Sequence, residues 1–320
     1  MKKIFKHSYF SFFLKITALL VAFGYIGKVV VKNWDKLQNT SISFNISYLF
    51  WSFSILFLSY LSACIAWFII LKALRINSSY LLAQHNWLLS NFGKYIPGSI
   101  WTISARTYLH SAHKHSSKAI ISASLLEAIL SLSVSVVAVL MLMIYLNKIS
   151  VYPGVFFILL IIFCFFMSHN IINKGLNLVL SFLNKEAFTY EIDVKVKVNI
   201  LIAYFISFIA RGYGFFLYIK SIDTSFPDYF LYAFFCLAFS NLAGGLLTSA
   251  PKGIGVREAL LIYLLSSVLA EPFAILISIS FRLWIIGIEL LLTFVSYIFI
   301  RLQSTSNQAK IDEPIDHKMT

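Results

Sequence analysis

The chain alternates long apolar runs with short polar breaks. A helix needs about 20 apolar residues to cross the roughly 30 Å hydrocarbon core of a bilayer. Eight runs read as such candidates: Tyr9–Val31, Ile46–Leu71, Ala119–Leu146, Val151–Ser168, Val198–Ile219, Tyr229–Ala250, Ala259–Ala270 and Phe273–Ile300. The seventh is short: 12 residues rise about 18 Å as a helix, so it must borrow from its flanks or stop part-way. A ninth stretch, Asn86–Trp101, is apolar but contains Gly93, Lys94, Pro97 and Gly98. It reads as a re-entrant or broken helix, a backbone that lipid tolerates only when it is buried in protein or lines a wet cavity. The expected fold is an all-α polytopic membrane bundle of about eight transmembrane helices plus one or two re-entrant segments. The start, Met1-Lys2-Lys3-Ile4-Phe5-Lys6, is basic, but the apolar run behind it is too long for a signal peptide and lacks an A-x-A site. It is read as a first span that stays attached. Residues 1–302 are expected to form the membrane domain, and 303–320 a short, polar, disordered cytoplasmic tail.

Composition agrees with that pattern. Of 320 residues, 59% are hydrophobic and 12% charged, against roughly 45–50% and 25% in soluble domains. The mean hydropathy is +0.83. A water-soluble enzyme and a disordered chain are both excluded. The net charge of +13 is distributed rather than patched. With the N-terminus placed in the cytoplasm, segments 1–9, 72–118, 169–197, 251–258 and 301–320 hold eighteen Lys/Arg, whereas the external ends hold five. That asymmetry orients both termini to the cytoplasm and directs the basic excess at anionic inner-leaflet lipid, with no nucleic-acid partner needed. The localisation expected is the cytoplasmic membrane, multi-pass. Cys64, Cys164 and Cys236 lie inside apolar runs, which gives neither a disulfide framework nor a metal spacing. No metal or cofactor is expected.

Pro251-Lys252-Gly253-Ile254-Gly255-Val256-Arg257-Glu258 is the most informative stretch. Pro and two glycines open the backbone, and a helix begins near Val256. Its unpaired N–H groups, with Lys252 and Arg257 beside them, suit an anion, and Gly253 and Gly255 permit close approach to a phosphate. The alternative is a tight turn with positive-inside anchors. Gly93 to Trp101 is its companion, followed by Arg106. Ser90-Asn91…Pro97…Arg106 and Ser240-Asn241…Pro251…Arg257 even suggest a two-repeat architecture, as in transporters. Glu127, Arg211, Arg282 and Glu289 are ionisable groups inside spans, where charge is costly. They form either interhelical ion pairs or a polar pathway for a headgroup. His110, His113 and His115 read as a solvated basic loop. No G-x-S-x-G, Walker A, H-E-x-x-H or D-x-D motif is present, which argues against an enzyme.

Pro251-Lys252-Gly253-Ile254-Gly255-Val256-Arg257-Glu258-Ala259 resembles the P-x-G-x-G-x-R-E-[AG] signature of the lysylphosphatidylglycerol synthase transmembrane-region family, also called flippase-like. Trp67–Arg75, Asn91…Lys94-Tyr95-Ile96-Pro97-Gly98…Arg106, Leu126-Glu127 and Arg282-Leu283 are similar to other parts of the family pattern. The resemblance implies lipid translocation, or a service role in lipid-linked sugar assembly. The expected function is flipping of an anionic lipid, a phospholipid or a polyprenyl-phosphate-linked glycan. Arg106, Lys252 and Arg257 would neutralise phosphate with Gly253, Gly255 and Glu258 around them, while Arg211 and Arg282 receive it deeper. Membrane lipids and envelope-glycan assembly proteins are the expected partners. Two readings compete: a non-transporting accessory protein of envelope polysaccharide assembly, and an integral membrane transferase.

Overall fold

The computed structural model describes residues 44–96, 100–146, 191–246 and 256–311, together with six isolated positions between 31 and 181. Two expected spans, Tyr9–Val31 and Val151–Ser168, lie outside the described residues, apart from Val31 itself. So do Pro97, Gly98, Lys252, Gly253, Gly255 and Cys164.

The described residues are helical, with no strand among them. Four helices are long and apolar enough to cross a membrane: α1 (Ile46–Ala73), α4 (Ser117–Tyr145), α5 (Val194–Ile222) and the Glu271–Gln303 part of α8 (Glu271–Ile311). Their outward faces carry large apolar side chains, among them Phe50, Leu58, Leu132, Phe205, Leu290 and Phe294. A water-soluble fold would bury such groups; lipid accepts them. The chain is thus a multi-pass membrane protein.

α1 and α5 are the central pair. They run antiparallel, joined by a ladder of serines that donate across the interface: Ser52 to the Gly214 carbonyl at 2.8 Å, Ser59 and Ser207 each to the other's carbonyl at 2.8 Å, and Ser62 to the Ala203 carbonyl at 2.7 Å. In lipid, helices gain little from apolar contact alone. Small residues and hydroxyls therefore hold such pairs together. Gly214 allows the close approach, since a Cβ there would stand 2.6 Å from Leu56 Cγ.

α1 stops at Ala73 because Arg75 takes a left-handed conformation (φ 57°), letting Arg75 N–H reach the Lys72 carbonyl and Ile76 N–H reach the Leu71 carbonyl. A hairpin follows. Its first arm is α2 (Tyr80–Asn91), capped by Ser79, with a 3-10 turn at Phe92–Tyr95; its second arm is α3 (Trp101–Ser111). The arms touch backbone to backbone: a Cβ on Gly93 would lie 2.7 Å from the Thr102 nitrogen. Lys114 (φ 62°) closes α3 as Arg75 closes α1, and His115 Nε2 lies 3.0 Å from the Asn77 carbonyl. Both ends of the hairpin therefore sit at one level. Its arms of 12 and 11 residues rise about 18 and 16 Å.

The other break is built alike. α6 (Phe230–Leu246) and α7 (Val256–Leu265) pack together, with Tyr232 donating to the Leu264 carbonyl at 2.8 Å and Gly244 close to Arg257 Cβ. α6 and α7, which fall within the segments expected as spans at 229–250 and 259–270, thus lie side by side and antiparallel. Ten residues of α7 rise only about 15 Å, too little to cross. The first hairpin starts where α1 ends and the second where α5 ends. Because α1 and α5 are antiparallel, the two hairpins enter the bundle from opposite ends.

The last helix, α8, runs to Ile311. One further expectation changes. His110, read as part of a solvated loop, is fully buried. It occupies the last turn of α3, with its ring edge-on to Trp67 at 6.2 Å.

Candidate functional site

α2 with its 3-10 turn, α6 and α7 meet the long helices around a cavity of about 270 Å³. Each wall follows from helical spacing. α5 contributes Tyr204, Ser207 and Arg211, at intervals of three and four, and α4 contributes Glu127, Ser131 and Ser135 in the same way. α1 adds Tyr60, α8 adds Arg282 and Glu289, the first hairpin adds Asn91, Lys94 and Tyr95, and the second adds Asn241 and Arg257.

Three ion pairs frame the cavity, and each ties different elements together. Glu289 on α8 pairs with Lys94 at the first hairpin tip and accepts hydrogen bonds from Tyr60 (2.5 Å) and Tyr95 (3.0 Å). Arg282, two turns earlier on the same face of α8, pairs with Glu258 in the first turn of α7, whose backbone carbonyl accepts from Ser278 at 3.2 Å. Glu127 on α4 pairs with Arg106 and accepts from the Trp87 indole N–H at 2.6 Å. An intramembrane charge is tolerable on these terms, paired and hydrogen-bonded.

Arg106 is 2% exposed and does not line the cavity. Its guanidinium lies 4.3 Å from the Trp67 ring centroid, donates to Ser90 (3.1 Å) and Asn91 (3.3 Å), and pairs with Glu127. Every one of those contacts holds α3 against α1, α2 and α4. Arg211 and Arg257 are different. Both line the cavity, and neither has a carboxylate partner among the described residues. Arg211 lies over the Tyr60 ring at 5.4 Å, a cation–π contact. Arg257 is within electrostatic reach of Arg282, Glu258, Tyr95 and Arg211.

Of the residues singled out in the sequence, Lys94, Glu127, Arg211, Arg257, Arg282 and Glu289 come together around this one space. Glu258 and Arg106 stand behind its wall as ion-pair partners, and Gly93 is the point where the first hairpin's arms touch. The two Ser-Asn pairs occupy equivalent places: Ser90 and Ser240 are fully buried and bond back to carbonyls at 2.9 and 3.1 Å, while Asn91 and Asn241 line the cavity. Arg106 and Arg257 do not share that equivalence. Sequence reading passed over Tyr60, Trp87 and Tyr204. The signal available was a polar aromatic in the middle of an apolar run, and for Tyr204 its helical spacing to Arg211.

Fold and cavity together define a multi-pass helical membrane protein with a charged, hairpin-bounded interior. A family model described as the lysylphosphatidylglycerol synthase TM region matches residues 13–292. The chain belongs to that family, which points to a membrane-lipid-related function. No curated protein matches it.

Proposed function

We propose that the chain translocates a lipid with an anionic, phosphate-bearing headgroup across the cytoplasmic membrane, the headgroup passing through the cavity between the hairpin tips. The observation that carries this reading is the pair Arg211 and Arg257. Two guanidinium groups with no ion-paired carboxylate among the described residues, set between long apolar helices, are expensive unless an anion joins them. Arg presents a planar fork that grips two phosphate oxygens. Arg257 also sits in the first turn of α7, whose free N–H groups favour the same charge.

The topology we propose has six full spans, 9–31, α1, α4, 151–168, α5 and α8, and two hairpins inserted from opposite faces. Opposed broken hairpins around a central site are a common plan for alternating access. Both termini remain cytoplasmic on this count, because a hairpin does not change sides. Residues 1–302 form the membrane unit and 303–320 its cytoplasmic end. Envelope-glycan assembly proteins are the protein partners this role implies.

The test is translocation of a fluorescent anionic lipid in proteoliposomes. Arg257→Lys should lose most transport, about tenfold or more, at unchanged insertion. If Arg257 were only a topological anchor, lysine would serve equally, because the positive-inside rule counts charge and ignores shape. Full activity of Arg257→Lys at matched expression would remove the headgroup site. No transport by the native protein of any anionic lipid would favour an accessory role.

A further inference from the structure

We infer that the cavity is matched to a lipid whose phosphate headgroup carries at least two negative charges, a monoester or a diphosphate, and that it rejects cationic, aminoacylated headgroups. This deepens the translocation reading and rests on the same cavity.

The charges of the walls and their supports can be counted. Lys94, Arg106, Arg211, Arg257 and Arg282 face Glu127, Glu258 and Glu289. Each carboxylate is ion-paired with one of these cations, and this described set of five cations and three carboxylates carries two net positive charges. A phosphodiester would balance one guanidinium and strand the other in a region of low dielectric. A doubly charged phosphate balances both. The hydroxyl of Tyr204, on the wall that carries Arg211, is buried without a partner. Buried donors of that kind are normally satisfied, and a phosphate oxygen can accept from it.

The same count bears on the opposite charge. An aminoacyl ammonium would need a carboxylate, and all three are already occupied by Lys94, Arg106 and Arg282. It would enter a space that repels it with two guanidiniums.

The experiment uses the full chain in detergent and follows binding by calorimetry, buffered well above the second phosphate pKa of about 6. The probes are farnesyl diphosphate, farnesyl monophosphate, the singly charged farnesyl methyl phosphodiester, short-chain lysyl-phosphatidylglycerol, and inorganic diphosphate. The first two should bind about tenfold tighter than the methyl diester, and the lysyl lipid more weakly than any other lipid. Inorganic diphosphate should not displace farnesyl diphosphate at equal concentration. Arg211→Gln and Arg257→Gln should each narrow the gap between diphosphate and diester. Equal affinity for the methyl diester, or preference for the lysyl lipid, overturns the inference on the native protein alone, even if the variants fail to fold. Displacement by inorganic diphosphate would make the ligand a soluble anion. Translocation with a flat ranking would sink this inference and spare the transport reading. The reverse result would do the opposite.

Discussion

Tyr60 does two jobs at once. Its hydroxyl donates to Glu289 while its ring face meets Arg211, so α8, α1 and α5 are tied through one side chain. The arginines differ in kind: buried Arg106 is saturated by ion pair, hydrogen bonds and ring contact, whereas the half-buried Arg211 and Arg257 retain donors for something else. His110 is the residue whose chemistry depends on pH. His115 donates from Nε2 to the Asn77 carbonyl, so its Nδ1 can accept from Nδ1–H of His110 at 3.2 Å. That leaves His110 Nε2 as a bare nitrogen, buried and unpartnered. Burial, reinforced by His115, Arg106 and His113, pushes its pKa from 6.5 down to about 3. The unfolded chain then takes up a proton near pH 6.5 that the folded chain refuses. Stability is complete above that pH and falls as pH drops toward 3, by up to about 1.4 kcal/mol per unit. His85 is also shifted down by burial, so the contribution is isolated by difference. Melting of the purified protein between pH 7 and 5 should fall less steeply for His110→Gln than for the native chain. Parallel slopes would show that His110 is charged in the fold.

At the scale of elements, apolar run length made the four long helices legible, and the breakers Gly93, Pro97, Gly98 and the Pro251–Gly255 cluster marked both interruptions. What the sequence concealed was pairing. Runs at 229–250 and 259–270 look like spans because apolar content is the same whether a helix faces lipid or packs in a hairpin. The contacts of Tyr232 with Leu264 and of Gly244 with Arg257 show that α6 and α7 lie side by side. Arg106 carries a related ambiguity: a basic residue after a Pro/Gly bend has the same signature whether it meets a ligand or Glu127 on a helix twenty-one positions away. Glycines separate in the same manner. Gly93 meets the backbone of Thr102 at 2.7 Å, and backbone cannot rotate aside; Gly287, on α8, has nothing within 4 Å of a built Cβ. Gly93→Ala should therefore cost about 1–3 kcal/mol and lower the melting temperature in detergent, while Gly287→Ala should leave it unchanged or slightly raised. Equal melting of the two variants would mean that the arms of the first hairpin are not in contact.

For the whole molecule, the antiparallel α1–α5 pair sets the logic. It places the base of each hairpin at opposite ends and brings both tips to one cavity, where Asn91 and Asn241 occupy matching positions. The positive-inside count assigned residues 251–258 to a cytoplasmic loop, since Lys252 and Arg257 add to the inner total. Arg257 instead belongs to a cavity shared with Tyr60 and Arg211, both near the middle of their helices. On the proposed topology its charge answers to what it faces rather than to a membrane surface. The two arrangements differ at a single accessible measurement. In a background without Cys64, Cys164 and Cys236, single cysteines at Ser111, Ser225 and Val256 are challenged with a large membrane-impermeant maleimide, in intact cells and in inverted vesicles. Ser111→Cys, at the base of the first hairpin, should react from the cytoplasm, and Ser225→Cys, between α5 and α6, from outside. Val256→Cys should resist from both sides, because a reagent larger than the cavity cannot reach the start of α7. A small permeant maleimide should still modify it, which separates protection from misfolding. Reaction of Val256→Cys from the cytoplasmic side at the rate of Ser111→Cys would restore a surface loop there, turn α6 and α7 into crossings, and take Arg257 out of the membrane interior.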